Sequence, residues 1–308
     1  MSTETKKIKI TVFTPAYNRA GHLKKLYDTL VAQTFKDFEW IVVNDGSTDE
    51  TEKVLNRFKE EKLVQLTLIS QPNAGKQIAI NTGVNAAQGE LFFIVDSDDW
   101  LPEDSLETIY YYWETVKSEN REEQFAGVSG NRIHSDGSVN GGDVPYEVLD
   151  ADVFTYRHEM GIQGDKAEVY LTSVLKQCPF PVFEGEKFCP ESLVWYRIGE
   201  RYNLRFFNKG IYIGDYLDGG LTARSQAIRA NSPRYTAMAY KEMVNSHKSP
   251  LWAKFRASIN YWRFSPYNHY QKLSEKINDL QPFWAVLTLP LGLAYYLKEK
   301  KSINHQRK

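Results

Sequence analysis

Leu91-Phe92-Phe93-Ile94-Val95-Asp96-Ser97-Asp98-Asp99 is the stretch on which the fold turns. Five apolar residues of high strand propensity predict a buried strand. Three carboxylates then crowd its C-terminal end. In open α/β sheets the ligand crevice lies outside the carboxyl ends of the strands. Carboxylates this close repel one another unless positive charge stands between them, and a hard divalent cation is a common answer. Mg²⁺ or Mn²⁺ held by one or two carboxylates shares its other positions with water and substrate phosphates. The stretch therefore implies metal-assisted handling of a diphosphate compound. Taken alone, the tetrapeptide reads equally as a solvated acidic turn before the helix start Pro102-Glu103-Asp104.

The residues before it alternate strand and helix. Ile8 to Phe13, Trp40 to Val43 and Val64 to Ile69 are the other predicted strands. Leu23, Leu26, Tyr27, Leu30 and Val31 recur at helical spacing. Ser47-Thr48-Asp49-Glu50 opens a helix running to about Lys59, and Lys76 to Ala87 forms another. Strands separated by single helices predict right-handed βαβ units in a mostly parallel sheet. After Leu101 the pattern loosens. Glu103 to Glu119 reads as a helix and Phe125 to Ser129 as a strand. Asn131 to Pro145 reads as loop or hairpin, and Ala167–Leu175, Glu191–Tyr202 and Leu204–Ile213 as short elements.

Each predicted strand ends in a polar loop: Thr14-Pro15-Ala16-Tyr17-Asn18-Arg19, Asn44-Asp45-Gly46-Ser47-Thr48-Asp49, Gln71-Pro72-Asn73-Ala74-Gly75-Lys76, and the aspartate cluster. Any one is ordinary turn chemistry. Four in succession on one sheet edge form the place where a nucleotide would lie. Several alternatives fail. Ala74-Gly75-Lys76 lacks the first glycine and the Ser/Thr of a Walker loop. No G-x-G-x-x-G follows the first strand, and Leu101 stands where a calcium-binding EF-hand loop needs glycine.

Composition is that of a globular chain: 308 residues, 42% hydrophobic and 25% charged. Cys178 and Cys189 have no zinc-ligand spacing, no N-glycosylation sequon occurs, and the polar Met1–Lys7 segment has no signal-like apolar region after it. A reducing, cytosolic setting is expected. The net charge of −1 hides an asymmetry. From Leu221 onward 15 Lys+Arg face 4 Asp+Glu, whereas the first 220 residues carry 23 against 35. Met243 to Ser274 has no acidic residue, and Leu280 to Leu297 is an uncharged run of eighteen. Pro282, Pro290 and Gly292 interrupt that run. An anionic partner is implied, and a helix lying in or re-entering a membrane interface is expected. A packed helical cap or a homodimer surface is the alternative. No nucleic-acid-binding module accompanies the basic residues, so nucleic acid is not expected as a partner.

As a set, Thr14-Pro15-Ala16-Tyr17-Asn18, Val42-Val43-Asn44-Asp45-Gly46-Ser47-Thr48-Asp49, Asn73-Ala74-Gly75-Lys76 with Asn81-Thr82-Gly83, and Asp96-Ser97-Asp98-Asp99 resemble the family 2 glycosyltransferases of the GT-A fold. The resemblance covers about the first 120 residues. It is looser from Phe183 to Thr222, where Phe183-Glu184-Gly185-Glu186-Lys187-Phe188-Cys189-Pro190-Glu191 looks like the family's acceptor-side segment. Tyr216-Leu217-Asp218-Gly219-Gly220-Leu221-Thr222 looks like the loop that closes over the diphosphate. The C-terminal helices are similar to the membrane-associating tails of bacterial enzymes that extend capsule or exopolysaccharide units.

The resemblance implies an α/β GT-A fold, with a mostly parallel central sheet flanked by helices and a C-terminal helical extension. Its catalytic domain would span residues 1–222, as a nucleotide-sugar half (1–120) and an acceptor half (121–222). Residues 223–308 would be the extension. It further implies Asp96 and Asp98 as metal ligands, with Asp98 the more direct and Asp99 in support, for Mn²⁺ or Mg²⁺. Thr14, Pro15 and Ala16 would wall the base, with Tyr17 beside them, and Asp45 would accept a hydrogen bond from uracil. Asn73, Lys76, Ser97 and Thr222 complete the nucleotide-sugar set. Glu191 would be the base that takes the acceptor proton, with Glu184 and Glu186 as competitors. Phe188 and Trp195 could stack on the acceptor sugar. The expected activity is inverting transfer from a UDP-sugar to a lipid-linked saccharide, by a peripheral enzyme at the cytoplasmic face of a bacterial plasma membrane. The alternatives are a soluble transferase with a protein or small-molecule acceptor, and a non-catalytic nucleotide-sugar-binding scaffold.

Overall fold

The computed structural model describes residues 8–215 and 225–306. The chain divides into two compact units, Met1–Pro179 with Arg201–Asp215, and Phe180–Glu200 with Tyr216–Lys308. In the first unit, β1 (Ile10–Ala16), α1 (Leu23–Ala32), β2 (Phe38–Asp45), α2 (Thr51–Glu61), β3 (Leu66–Gln71), α3 (Lys76–Ala86), β4 (Leu91–Ile94) and α4 (Ser105–Ser118) alternate as the periodicity predicts. They are followed by β5 (Phe125–Ile133), β6 (Val148–Ala151), β7 (Lys166–Leu171), α5 (Thr172–Gln177) and β8 (Asn203–Ile213). The predicted element Ala167–Leu175 is thus a strand turning into a helix at Thr172, and β6 went unrecognised within irregular sequence.

The eight strands form one sheet in the order β3-β2-β1-β4-β7-β5-β8-β6. β1 through β4 pair in parallel, and so do β5 and β8. β7 inserts antiparallel to both β4 and β5. Two antiparallel steps restore the original direction, so β5 and β8 run the same way as β1–β4. Their carboxyl ends therefore reach the edge where the four polar loops emerge. This topology brings residues from the second half of the chain to the aspartate cluster.

One face of the sheet carries the main core. Val12, Trp40, Val42, Phe93, Val128 and Val169 pack there with Leu26 and Leu30 of α1 and Ile109 and Trp113 of α4. On the other face Phe13 stacks on Phe92 at 5.2 Å. Gly83 of α3 lies so close to the Phe13 ring that a Cβ would overlap it. The glycine in Asn81-Thr82-Gly83 is thus explained by the seating of α3 on β1.

The second unit is helical: α6 (Ser192–Gly199), α7 (Ser225–Asn231), α8 (Pro233–Asn245), α9 (Leu251–Phe264), α10 (Leu273–Asp279) and α11 (Pro282–Gln306). Its core joins Ala237 and Val244 of α8, Ala257, Tyr261 and Trp262 of α9, and Leu280 and Ala285. α11 continues through Pro290, so neither that proline nor Gly292 interrupts the helix. Gly292 lets α11 approach Trp262 and the Ile259 carbonyl, where a Cβ would overlap both. Thr288 is buried and its hydroxyl lies 2.6 Å from that of Ser258. Thr288 and Gly292 thus belong to the contact face of α11 on α9. Its other face is open: Phe283, Val286 and Leu297 are 68%, 70% and 69% exposed, with Leu287, Leu291 and Leu293 also exposed. Among the described residues no single helix is long and apolar enough to cross a membrane. The bent pair Leu273–Asp279 and Pro282–Lys300, angled at 115°, meets that test together by length and composition.

A buried cation in the sheet gives a stability test. Lys166 is only 6% exposed, and its ammonium donates to Asn131 Oδ1 at 3.0 Å. Burial, with Arg157 nearby, lowers its pKa to about 8. Between about pH 8 and the ordinary lysine value of about 10.4, the unfolded chain binds the proton and the folded one releases it. Stability therefore rises with pH across that interval, and the full cost of burying the charge is present below it. Lys166→Met is expected to stabilise the fold at neutral pH by about 1–3 kcal/mol and to flatten the rise. Thermal unfolding from about pH 7 to about pH 10 checks this; an unchanged pH profile would refute the assignment.

Candidate active site

The four loops at the carboxyl edge are tied to one another in sequence order. Asn18, in the left-handed region at φ 53°, accepts from the Thr48 backbone amide at 2.8 Å, while its own amide donates to Ser47 Oγ at 2.9 Å. The Arg19 amide donates to Thr51 Oγ1, and Asp49 accepts from the Ala20 and Thr51 amides. The hydrogen bond from the Thr51 hydroxyl, with those from the amides, lowers the Asp49 pKa. These contacts lock the first loop to the second.

Asp45 locks the second loop to the third. It is 4% exposed. Its Oδ1 accepts from Gln71 Nε2 at 2.8 Å and from the Ala74 amide at 2.9 Å, and its Oδ2 accepts from the Gly75 amide at 2.8 Å. Oδ1 is filled, and Oδ2 keeps one acceptor position. Asn73 donates back to the Asp45 carbonyl at 2.9 Å. Gly46, at φ 75°, sits so close to the Asn73 amide that a side chain would collide with it. Gly75, at φ 99°, is the residue before α3, and Lys76 opens the helix.

Lys76 joins the third loop to the fourth, with Nζ 2.6 Å from Asp96 Oδ1. Burial pushes the Asp96 carboxyl up, but the opposing pull of Lys76, Arg132 and Arg19 outweighs it and leaves the pKa lowered. Asp99 has a different environment. It is 5% exposed, and its Oδ2 accepts from Arg132 at 2.7 Å and from the Tyr212 hydroxyl at 2.6 Å. Burial raises its pKa to about 6 against the pull of Arg132 and Tyr212. Asp98 is half-buried and has no hydrogen-bond or ion-pair partner among the described residues. Ser97 is buried between them.

The other expected nucleotide residues fall at the same edge. Thr14 is fully buried and its hydroxyl accepts from the Trp40 indole at 3.0 Å. Ala16 is also buried, Pro15 is partly exposed and Tyr17 is exposed. Thr222 and the segment Tyr216–Thr222 lie outside the described residues. Among the described residues no three His, Cys, Asp or Glu side chains group as a metal centre. The donor set suits a shared site instead. Asp98 is uncommitted and Asp96 is held by a single lysine. One or two such carboxylates, completed by diphosphate oxygens and water, are the usual surroundings of Mg²⁺ or Mn²⁺.

In the second unit Glu191 is half-buried at the start of α6, where its carbonyl accepts from the Val194 and Trp195 amides. Glu186 is 5% exposed and committed to α8. Its carboxylate accepts from the Arg234 and Tyr235 amides at the helix N-terminus and pairs with the Arg234 side chain at 2.9 Å. Glu184 is exposed. Trp195 packs edge-on to Phe180 at 6.0 Å, and Phe188 is half-buried near Arg229.

An α/β sheet with cross-tied nucleotide-type loops, beside an aspartate unpaired among the described residues, sets the terms of comparison with known proteins. Residues 11–140 match the Glycosyl transferase family 2 model, so the chain carries a family 2 glycosyltransferase domain in the GT-A fold. Glycosyltransferase GlyA of Streptococcus pneumoniae is 44% identical over 102 residues, 33% of this chain. The match spans only 14% of GlyA's length. S. aureus TarS 1–349 in complex with UDP-GlcNAc superimposes with a TM-score of 0.62 at 18% identity, covering 96% of this chain and 90% of that one. The mannosyltransferase PcManGT from Pyrobaculum calidifontis, in complex with GDP-Man and Mn²⁺, gives 0.56 at 18% identity, covering 97% and 84%.

Arg132 and Tyr212 were not found by sequence reading. Arg132 falls in the segment read as loop or hairpin, and Tyr212 alternates among aromatics in a strand. Only the β7 insertion reveals that both reach Asp99. The division between Glu186 and Glu191 yields a test. Glu186→Ala removes a buried ion pair and a helix-terminal acceptor, and is expected to cost about 2–4 kcal/mol. Glu191→Gln should cost far less. Thermal unfolding of the two variants compares them, and equal destabilisation would refute the division of roles.

Proposed function

We propose that this protein transfers a sugar, with inversion, from a UDP-sugar to a hydroxyl of a lipid-linked saccharide during synthesis of a bacterial cell-surface polysaccharide. The observation that carries the reading is the pair Asp96–Asp98 at the end of β4, beside a loop whose backbone is held by Asp45. The acceptor position left on Asp45 Oδ2 suits the N–H of uracil. Pro15 and Tyr17 offer surface to the base. Lys76 supplies positive charge to the diphosphate as well as to Asp96. Asp98 and Asp96 would hold Mn²⁺ or Mg²⁺, which neutralises charge developing on the departing UDP. Glu191 takes the proton of the acceptor hydroxyl as its oxygen bonds to the anomeric carbon and the bond to the diphosphate breaks. In this reading residues 1–222 form the catalytic part.

We assign residues 223–308 to peripheral attachment at the cytoplasmic face of the membrane. The open apolar face of α11, followed by Lys298, Lys300 and Lys301, suits the headgroup boundary of an anionic leaflet. Each basic residue near such a surface contributes about 1 kcal/mol, screened by salt.

Chelation is expected to abolish transfer and Mn²⁺ or Mg²⁺ to restore it, with Asp98→Asn weakening UDP-sugar binding in metal. Glu191→Gln should lower turnover by about 10²–10⁴-fold with donor affinity nearly unchanged. Purified protein assayed against a panel of UDP-sugars checks all three. Full activity in excess chelator would defeat the metal reading, and the absence of transfer and donor hydrolysis with every sugar would favour a binding scaffold. For the C-terminal part, the full chain should float with anionic vesicles at low salt and less with neutral ones. Protein remaining at the bottom in both would point to a helical cap or homodimer surface instead.

A further inference from the structure

We propose that Tyr212, Asp99 and Arg132 are positioning residues that hold the Asp96–Asp98 turn in the shape that binds a divalent ion with a nucleoside diphosphate. The inference rests on the metal-dependent reading above and assigns work to three residues that reading does not use as ligands or base.

The turn is fixed at both ends and across its middle. At its start the Val95 amide donates to the Phe13 carbonyl at 2.8 Å. At its finish Trp100 and Ile213 exchange two backbone hydrogen bonds, at 3.0 and 2.8 Å. Between these points the Asp99 amide donates to the Asp96 carbonyl at 3.2 Å, closing the turn on itself. The Tyr212 hydroxyl bridges the two ends of the turn. It accepts from the Asp96 amide at 3.0 Å and donates to Asp99 Oδ2 at 2.6 Å. Arg132 supports the same oxygen at 2.7 Å, and its guanidinium lies 4.5 Å from the centroid of the Tyr212 ring. Phe93 meets that ring edge-on at 6.1 Å. Gly214 completes the enclosure: a side chain there would overlap both the Asp99 carboxylate and the Arg132 guanidinium.

The consequence is a division of labour among three neighbouring carboxylates. Asp99 is turned inward and neutralised by Arg132. Asp96 is met by Lys76. Asp98, between them, is left without a partner among the described residues and is held in place by its neighbours. Hydrogen bonds that orient metal ligands from behind govern metal affinity by about 10–100-fold when removed. Here that orienting role comes from β5 and β8, not from the strand bearing the ligands.

The test is a calorimetric titration of UDP into the full chain at stepped Mn²⁺ concentrations, using wild type and Tyr212→Phe. The variant keeps the ring and its packing and removes only the bridging hydroxyl. The Mn²⁺ concentration giving half-maximal enhancement of UDP binding is expected to rise by about 10–100-fold. UDP binding without metal should stay within about twofold, and the variant should remain folded, with its unfolding temperature lowered by the loss of a buried hydrogen-bond pair. Arg132→Lys should fall between the two, because one donor replaces the guanidinium fork. A wild-type protein whose UDP binding ignores Mn²⁺ would defeat the metal reading itself. A wild type that responds, with Tyr212→Phe responding identically, would overturn the positioning role alone. If Tyr212→Phe is not folded by circular dichroism, Asp99→Asn decides by the same titration: it keeps an acceptor for Tyr212 and loses the charge that holds Arg132.

Discussion

Mutual repulsion of three carboxylates within four residues is the constraint around which the catalytic edge is arranged. A strand ending in Asp96-Ser97-Asp98-Asp99 cannot be buried with all three charges unmet. The structure meets two of them separately. Lys76 comes from the start of α3 and Arg132 from the end of β5. Asp96 is thereby held below the usual carboxylate range, while burial lifts Asp99 to about 6 despite its partners. Two aspartates so close in sequence acquire opposite shifts because Lys76, Arg132 and Arg19 together outweigh burial at Asp96, whereas burial prevails over Arg132 and Tyr212 at Asp99.

The topology of the sheet makes that compensation available. Were β5 placed antiparallel beside β4, its C-terminal end and Arg132 would lie at the far edge. Insertion of β7 between them reverses the direction twice and returns β5 and β8 to the orientation of β1–β4. The loops of the first half are meanwhile tied in a chain, from Asn18 to Ser47 and Thr48, from Asp45 to Ala74 and Gly75, and from Lys76 to Asp96. The first two links join loops following neighbouring strands, and the Lys76–Asp96 link reaches across the edge from the loop after β3 to the loop after β4, so deforming one loop disturbs the next. Such coupling suits a surface that must present backbone and carboxylate groups together to one nucleotide.

How much of this was legible in the sequence follows from the range of the interactions. The first four strands and their helices are set by local periodicity, and the boundaries of β4 and α3 agree with the reading within a residue or so. The polar loops stood out because their chemistry is local: glycines at positive φ, short side chains that bond nearby amides, a helix start after Gly75. Asp45 was expected to be a site residue, but its commitment to the Ala74 and Gly75 amides arises from strand pairing. Arg132 and Tyr212 were illegible for the same reason: they lie 33 and 113 positions from Asp99. In the second segment, nothing in the spacing of Glu184, Glu186 and Glu191 says which one meets the N-terminus of α8. Pairing with Arg234, far along the chain, decides it.

The C-terminal helix shows how the same residue types mislead when the context is a helix pair. Pro290 and Gly292 read as breaks in an apolar run, whereas the helix runs through both and Gly292, with Thr288, marks the seam with α9. Gly292 there lets the two backbones approach, and Trp284, Ala285 and Leu289 fill that side against the core of α8 and α9. Phe283, Val286 and Leu297 therefore point away from the seam. The packing that satisfies one face of α11 is what leaves the other apolar face uncovered. The attachment proposed above, through that face, would leave the α9 seam intact.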